Sequence, residues 1–342
     1  MTTAADVDRH AQTIRALSAA GAPLSRESPH ATTANPAWFF TPGMPTPMRE
    51  ELHEQILQDY RDRLEGDVGH DRRAIVLAGP PGAGKSRILN EVIGAPGSDQ
   101  RTGWLEIDPD EIKKLLLDAA AQDGSYETFI KPPAVRELEA QGERFFPLDF
   151  AALVHEESST LAKVAREEAI RSGANVVVDS VLSNPAAAVE LGRTLERAGY
   201  TVEVVDVEVP YELSQTRIAQ RWRGAYTQAL EGDPEHRHGG RWVPEDYARS
   251  VYAGDGPRAL SQESATALAT SCPAVVRYRR YWTEGENMPM RVETDKGRFQ
   301  RGGDLVDHSL ISARTRSATS FGTSTRPAPH RGGARGPQTE RE

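Results

Sequence analysis

The chain has almost no cysteine. Cys272 is the one thiol among 342 residues, so no disulfide can form within it and the fold must rest on its own hydrophobic core. Long apolar runs are missing too: nothing approaches the ~20 consecutive apolar residues that cross a bilayer, which argues against a membrane partner. The N-terminal stretch MTTAADVDRHAQ carries acids and lacks an apolar centre, unlike a secretory leader, so a cytoplasmic location is expected. An excess of positive charge is also absent. The formal net charge of −9 disfavours broad nucleic-acid binding, and no nucleic-acid partner is expected, although a local basic groove stays compatible with that charge. What is present, 38% hydrophobic and 27% charged residues, suffices for one large α/β domain with appendages.

Residues 79–86 read GPPGAGKS, between the apolar run AIVLA and the helix-like RILNEVI. A glycine-rich loop between a strand and a helix is the context in which backbone N–H groups cradle phosphates. Gly79, Gly82 and Gly84 let the backbone come close, Pro80, Pro81 and Ala83 complete the loop, and the helix opening near Ser86 adds the positive end of its dipole. Lys85 would reach the β and γ phosphates of a nucleoside triphosphate, and the Ser86 hydroxyl would bind magnesium.

Around the loop, short β-branched runs alternate with amphipathic stretches, the pattern of a parallel sheet covered on both faces. The spacing predicts strands over 74–78, 104–107, 175–178 and 202–209, and helices over 86–93, 109–119, 158–171, 185–198 and 212–230. Further helices are expected near 245–252 and 258–270, then a hairpin of 274–282 and 290–293 around the turn-like EGEN. The fold class is therefore α/β, a P-loop NTPase-type parallel sheet sandwiched by helices, with flexible termini. Residues 1–36 are rich in Ala, Ser, Thr and Pro, and 312–342 hold many arginines with almost no apolar content. The expected organisation is a flexible segment over 1–45, a helical extension over 46–69, the P-loop domain over 70–300 and a disordered basic tail over 301–342.

In an open parallel sheet, ligands gather at the carboxyl ends of the strands, so polar residues just past each strand matter most. The second strand runs into Ile107-Asp108-Pro109-Asp110-Glu111. Asp108 reads as a helix N-cap with Pro109 at the first helical position, which leaves Asp110 as the candidate for chemistry. Asp179 and Ser180 end the third strand, where an acid can bind substrate, hold a magnesium water shell or cap the following helix. Helix 212–230 carries Arg217 and Arg221 on one face and leads into EGDPEHRHGGRWVPED, which lacks any apolar period and reads as a lid. Its arginines could close over a triphosphate or simply be solvated, and His236 and His238 in it form no recognisable metal motif.

Taken in order, GPPGAGKS, Ile107-Asp108-Pro109-Asp110, HEESS at 155–159, NVVVDS at 175–180, the helix with Arg221 and the Gly-Arg-x-x-Pro of residues 240–244 resemble the zeta toxin family of P-loop kinases over residues 70–285. The resemblance implies ATP and Mg2+ as cofactors and phosphorylation of the 3'-hydroxyl of the amino sugar in UDP-N-acetylglucosamine. It makes Asp110 the base that orients the sugar hydroxyl, Lys85 the phosphate-loop lysine, and Arg221 and Arg241 the arginines that clamp the phosphates. It assigns Glu157, Ser158, Asp179 and Ser180 to the sugar-nucleotide substrate. Where the family has acid-Gly-Thr, this chain has Asp179-Ser180-Val181, and the missing Thr hydroxyl removes one hydrogen bond to a buried ligand, about 1–3 kcal/mol. The resemblance also implies a small helical antitoxin as partner, and places the helix-like 46–64 either against the sheet or over the nucleotide site.

The reading is a small-molecule kinase acting as the toxin of a toxin–antitoxin pair. Another small-molecule phosphotransferase on the same scaffold, including one that modifies an antibiotic, and a regulatory P-loop ATPase stay open. Asp110 with two lid arginines separates them, because a switch needs no base for an acceptor hydroxyl.

Overall fold

A computed structural model describes residues 3–41, 43–252 and 256–312. Helix α1 (Ala4–Leu17) comes first, then a short hairpin of β1 (Phe39–Thr41) and β2 (Met44–Pro45), and helix α2 (Pro47–Glu65). The alternating portion follows: β3 (Arg73–Ala78), α3 (Lys85–Ile93), α4 (Asp99–Thr102), β4 (Leu105–Ile107), α5 (Pro109–Asp123), α6 (Pro133–Ala140), α7 (His155–Ser172), β5 (Val176–Asp179), α8 (Pro185–Arg197), β6 (Thr201–Glu208) and α9 (Tyr211–Leu230). It closes with α10 (Glu245–Ser250), α11 (Leu260–Ser271), β7 (Val275–Trp282), β8 (Arg291–Gly297) and β9 (Val306–Asp307).

Among the described residues the main sheet has seven strands in the order β4-β5-β3-β6-β7-β8-β9. The first five run parallel, and β8 and β9 add antiparallel at the edge. Five of the six β3 residues are buried, as expected of a central strand with helices on both faces: its apolar run is continuous because neither face meets water. Strand order reverses beside β3, and a ligand crevice opens at such a switch point. The loop after β3 therefore sits where two connections diverge to opposite sides.

The predicted hairpin is present as β7 and β8, with Arg277 facing Gly297 and Trp282 facing Arg291. Two expectations about the ends need correction. Residues 3–41 are not a loose segment. Thr3 and Asp6 form a capping box at α1, and Val7, Ile14, Leu24, Trp38 and Phe39 join the main core. Burial of each such aliphatic or aromatic side chain is worth about 1.5–3 kcal/mol, enough for a few of them to offset poor composition. The tail boundary at 301 is likewise too early, since β9 pairs with β8 through Lys296–Asp307 and Gly297–Val306; residues 313–342 lie outside those described.

The extension over 46–69 is helix α2, and it packs on α7 instead of on the sheet. Arg49 donates to both oxygens of Glu157, at 2.5 and 2.8 Å, and Arg61 forms a two-pronged pair with Glu168 at 2.9 Å. Helix α1 packs on α9: His10 stacks on Tyr226 and Trp222, with ring centres 4.5 and 5.9 Å away.

Candidate active site

The carboxyl ends of β3, β4 and β5 open into a cleft of about 780 Å³. Its lining is drawn from the loop 80–86, the face of α9 bearing Arg217 and Arg221, the start of α5, the exposed strip of α7 and the segment from β5 into α8, which touches the loop where Asp179 pairs with Lys85. Six lysines and arginines line it against three aspartates, Asp108, Asp110 and Asp179. In a chain of net charge −9, this is a local positive field suited to a polyanion.

The loop glycines are demanded by geometry. Gly79 has φ 141°, and a Cβ there would lie 2.2 Å from the Val207 carbonyl oxygen on β6; Gly82 and Gly84 also have positive φ. Ser214 of α9 donates to the Pro81 carbonyl at 2.8 Å and Arg217 donates to the Gly82 carbonyl at 3.3 Å, so α9 anchors the loop from outside. Lys85 opens α3. Its Nζ donates to the Gly79 carbonyl at 2.9 Å and pairs with Asp179 at 3.1 Å. The Ser86 hydroxyl is exposed to the cleft.

Asp108 caps α5 by accepting the Asp110 N–H at 2.8 Å. Asp110, one turn in, accepts Lys113 Nζ on one oxygen and Arg241 Nη1 on the other, each at 2.7 Å. Burial alone would raise its pKa, but Arg241 and Lys113 together overrule it and hold the carboxyl well below the usual range. Asp108 shifts oppositely: it opens on the cleft yet is ringed by protein, and burial followed by the Asp110 charge raises it. His155 is pushed down to about 3 by burial and then by the charges of Arg26, Lys113 and Arg241, so it is a neutral imidazole in this wall.

Of the residues expected at the site, Gly82, Ala83, Gly84, Pro80, Pro81, Lys85, Ser86, Asp110, Asp179, Ser180, Arg221 and Arg241 line the cleft together; Gly79 sits behind the loop with its carbonyl on Lys85. Glu157 and Ser158 do not line it. Glu157 faces away from the cleft, held by Arg49 and by His53 at 2.7 Å, and the Ser158 hydroxyl donates to the His155 carbonyl. The cleft-facing members of that segment are His155 and Ser159, one turn apart. Which face of α7 is turned inward depends on α2, which no local pattern reveals. Lys113 was also missed, although its position three residues after Asp110 on a helix was a usable signal.

The lid-like segment after α9 is docked. Gly240 passes so close to α9 that a Cβ would meet the Trp222 carbonyl oxygen at 2.4 Å, and Trp242 packs edge-on against Trp222 with centroids 5.2 Å apart. That seating delivers Arg241 to Asp110. His238 binds Asp118 at 2.7 Å and His236 binds Asp233 at 3.0 Å, and among the described residues no cluster of His, Cys, Asp and Glu is suited to hold a metal unaided. Among the described residues none before Pro80 lines the cleft, so α2 does not cover it. No helix among the described residues is long and apolar enough to cross a membrane.

Comparison with known proteins bears on the fold and the family. The chain is structurally similar to AvrRxo1-ORF1 in its complex with AvrRxo1-ORF2, with TM-score 0.53, 22% identity, and coverage of 81% of this chain and 74% of that one. The same complex with ATP matches at TM-score 0.51 and 20% identity, over 80% of this chain and 73% of that one. A more distant likeness, TM-score 0.43 and 14% identity over 72% of this chain and 81% of that one, is to the PezAT chromosomal toxin–antitoxin system of Streptococcus pneumoniae. No curated protein matches by sequence. The family model for Zeta toxin matches residues 61–279, which hold the phosphate loop, Asp110, Asp179, Arg221 and Arg241, and the chain therefore belongs to the zeta toxin family.

Proposed function

We propose that the chain is an ATP-dependent kinase that transfers the γ-phosphoryl group to a hydroxyl of a sugar nucleotide, with the 3'-hydroxyl of UDP-N-acetylglucosamine as first candidate, and that it serves as the toxin of a toxin–antitoxin pair. Family membership supports a phosphotransferase, and the ATP complex of AvrRxo1-ORF1 and its pairing with ORF2 favour ATP and a protein antitoxin. The observation that carries the reading is Asp110, kept ionised by Lys113 and Arg241 across the cleft from the phosphate loop.

Each Asp110 oxygen has a lone pair beyond the one its cation uses, so it can accept the O–H of an acceptor and aim that oxygen at the γ-phosphorus. As the new P–O bond forms and the bond to ADP breaks, the acceptor proton passes to Asp110 and on to solvent. Little basicity is needed in a loose transition state, where positioning dominates. Lys85, Arg221 and Arg241 meet the charge on the transferring group. The exposed Ser86 hydroxyl and the outer oxygen of Asp108 are hard ligands that fit magnesium, which usually takes few protein ligands beside phosphates and water; bound there, it would neutralise charge on the phosphates.

Purified protein incubated with ATP, Mg2+ and UDP-N-acetylglucosamine should yield, by mass spectrometry, a product heavier by one phosphoryl group. Formation of ADP and free phosphate alone, with every UDP-sugar offered, would overturn the acceptor reading and leave an ATPase.

A further inference from the structure

The α7 wall of the cleft carries a cation that has no ion-pair partner among the described residues. Arg166 is half-buried and lines the cleft, yet among the described residues its guanidinium has neither a hydrogen bond nor an ion pair. The acid whose charge reaches it is its neighbour Glu167, which pairs with Lys163 at 3.9 Å. Other half-buried arginines of this protein are satisfied, as Arg61 is by Glu168 and Arg277 by Asp295. Removing a guanidinium from water without a partner costs stability, and proteins keep such groups where a ligand completes them.

Its placement says which ligand. His155, Ser159 and Arg166 all line the cleft, and at ~100° per residue they fall within about 40° of one another on α7, a single strip. The His155 end lies in the field of Lys113, Arg241 and Asp110, the proposed transfer point. At 1.5 Å per residue Arg166 sits ~16 Å further along the helix. The apolar side chains of Leu182, Ala187 and Leu191 line the same cleft. The phosphate loop and α9 bring their own cations for a triphosphate, Lys85, Arg217 and Arg221, which leaves Arg166 for a second ligand.

We propose that Arg166 binds a phosphate of the acceptor, which is therefore an elongated molecule bearing a phosphate or diphosphate beyond its reacting hydroxyl. The planar guanidinium can take two phosphate oxygens at once, and the apolar side chains in the same cleft give a ring of the same molecule a face to rest on. This rests on the reading of Asp110 as the acceptor's base, and extends it to the far end of the substrate.

The test fills the nucleotide site first. Full-length protein saturated with AMP-PNP and Mg2+ is titrated calorimetrically with UDP-N-acetylglucosamine and, separately, with inorganic pyrophosphate. Both should bind the wild type. Arg166→Gln should weaken both by at least about tenfold and Arg166→Lys by less, with AMP-PNP affinity unchanged. The thermal midpoint of Arg166→Gln without ligand should equal or exceed that of the wild type, because an unsatisfied cation has been removed. Equal binding by wild type and Arg166→Gln, or no binding of either probe by the wild type, overturns the proposal. So does a parallel loss of AMP-PNP affinity, which would move Arg166 to the triphosphate. Failure of the kinase reading has a separate signature: no phosphorylated acceptor is formed with any UDP-sugar, whatever the probes do.

Discussion

Asp110 is the residue on which the proposed chemistry turns, and its surroundings explain how one carboxylate can stay charged in a cleft wall. Lys113 and Arg241 each sit 2.7 Å from it, so the ionised form is favoured despite burial. Replacement by Asn keeps the shape and removes the charge. Phosphoryl transfer should fall by ~10²–10⁴-fold, while AMP-PNP affinity stays within about threefold. A fully active Asp110→Asn variant in the mass-spectrometric assay would remove Asp110 from the mechanism. Glu157 gives the opposite case. Its carboxyl is buried against Arg49 and His53 and lies off the cleft, so Glu157→Gln leaves a guanidinium without its counter-charge. The expected result is a stability loss of about 3 kcal/mol by urea titration, with little change in acceptor KM. A raised KM at unchanged stability would return Glu157 to the substrate site.

At the scale of elements, β6 shows how the sheet carries charge through its centre. Asp206 and Glu208 are both fully buried. Asp206 accepts Arg280 Nε at 2.8 Å, whereas Glu208 accepts the Ala259 N–H and the Ser261 hydroxyl at the start of α11. Burial and then the Asp206 charge push Glu208 up to about 8. The folded protein therefore holds a proton that the unfolded chain releases above the ordinary carboxylate pKa, and stability falls as pH rises from that value through about 8. Glu208→Gln removes this dependence. Its melting temperature should match that of the wild type near pH 5 and exceed it by ~2 °C or more at pH 8. A constant difference across the range would mean that Glu208 carries no such proton. Helix α1 is tied to α9 in a comparable way: buried His10, raised by Asp149 and Glu143 against the opposing effect of burial, lies between those acids and the rings of Trp222 and Tyr226.

Across the whole molecule, the proposed triphosphate site draws on distant parts of the chain. Gly79 needs the Val207 backbone close behind it, Pro81 is held by Ser214, and Lys85 rests on Asp179. A ligand that replaces these self-contacts with phosphate oxygens should stabilise the fold as a unit. At 100 times its Kd, AMP-PNP with Mg2+ should add ~2.7 kcal/mol, visible as a rise in melting temperature. Lys85→Ala should lose most of that rise while melting normally without ligand. An equal rise in both proteins would show that Lys85 does not meet the phosphates.

The phosphate loop, four of the five parallel strands and the β7–β8 hairpin were legible in the sequence, because each is coded by neighbours: glycines at fixed spacing, β-branched runs, and acids placed just past a strand end. The N-terminal segment was not legible. Val7, Ile14, Leu24 and Trp38 are too sparse to announce a core, and their partners lie far along the chain, as when Trp38 packs on Phe129 or His10 on Trp222. The same holds for α7. HEESS marks a segment of interest, but whether Glu157 or Ser159 faces the ligand is decided by Arg49 arriving from 108 residues away to bury one face. Local sequence determined the phosphate grip and the strand ends that frame it, since short-range backbone geometry and periodicity suffice for both. Tertiary structure decided which acid stays charged, that Arg166 has no partner among the described residues and which face of α7 lines the cleft, because burial and charge pairing depend on groups that only folding brings together.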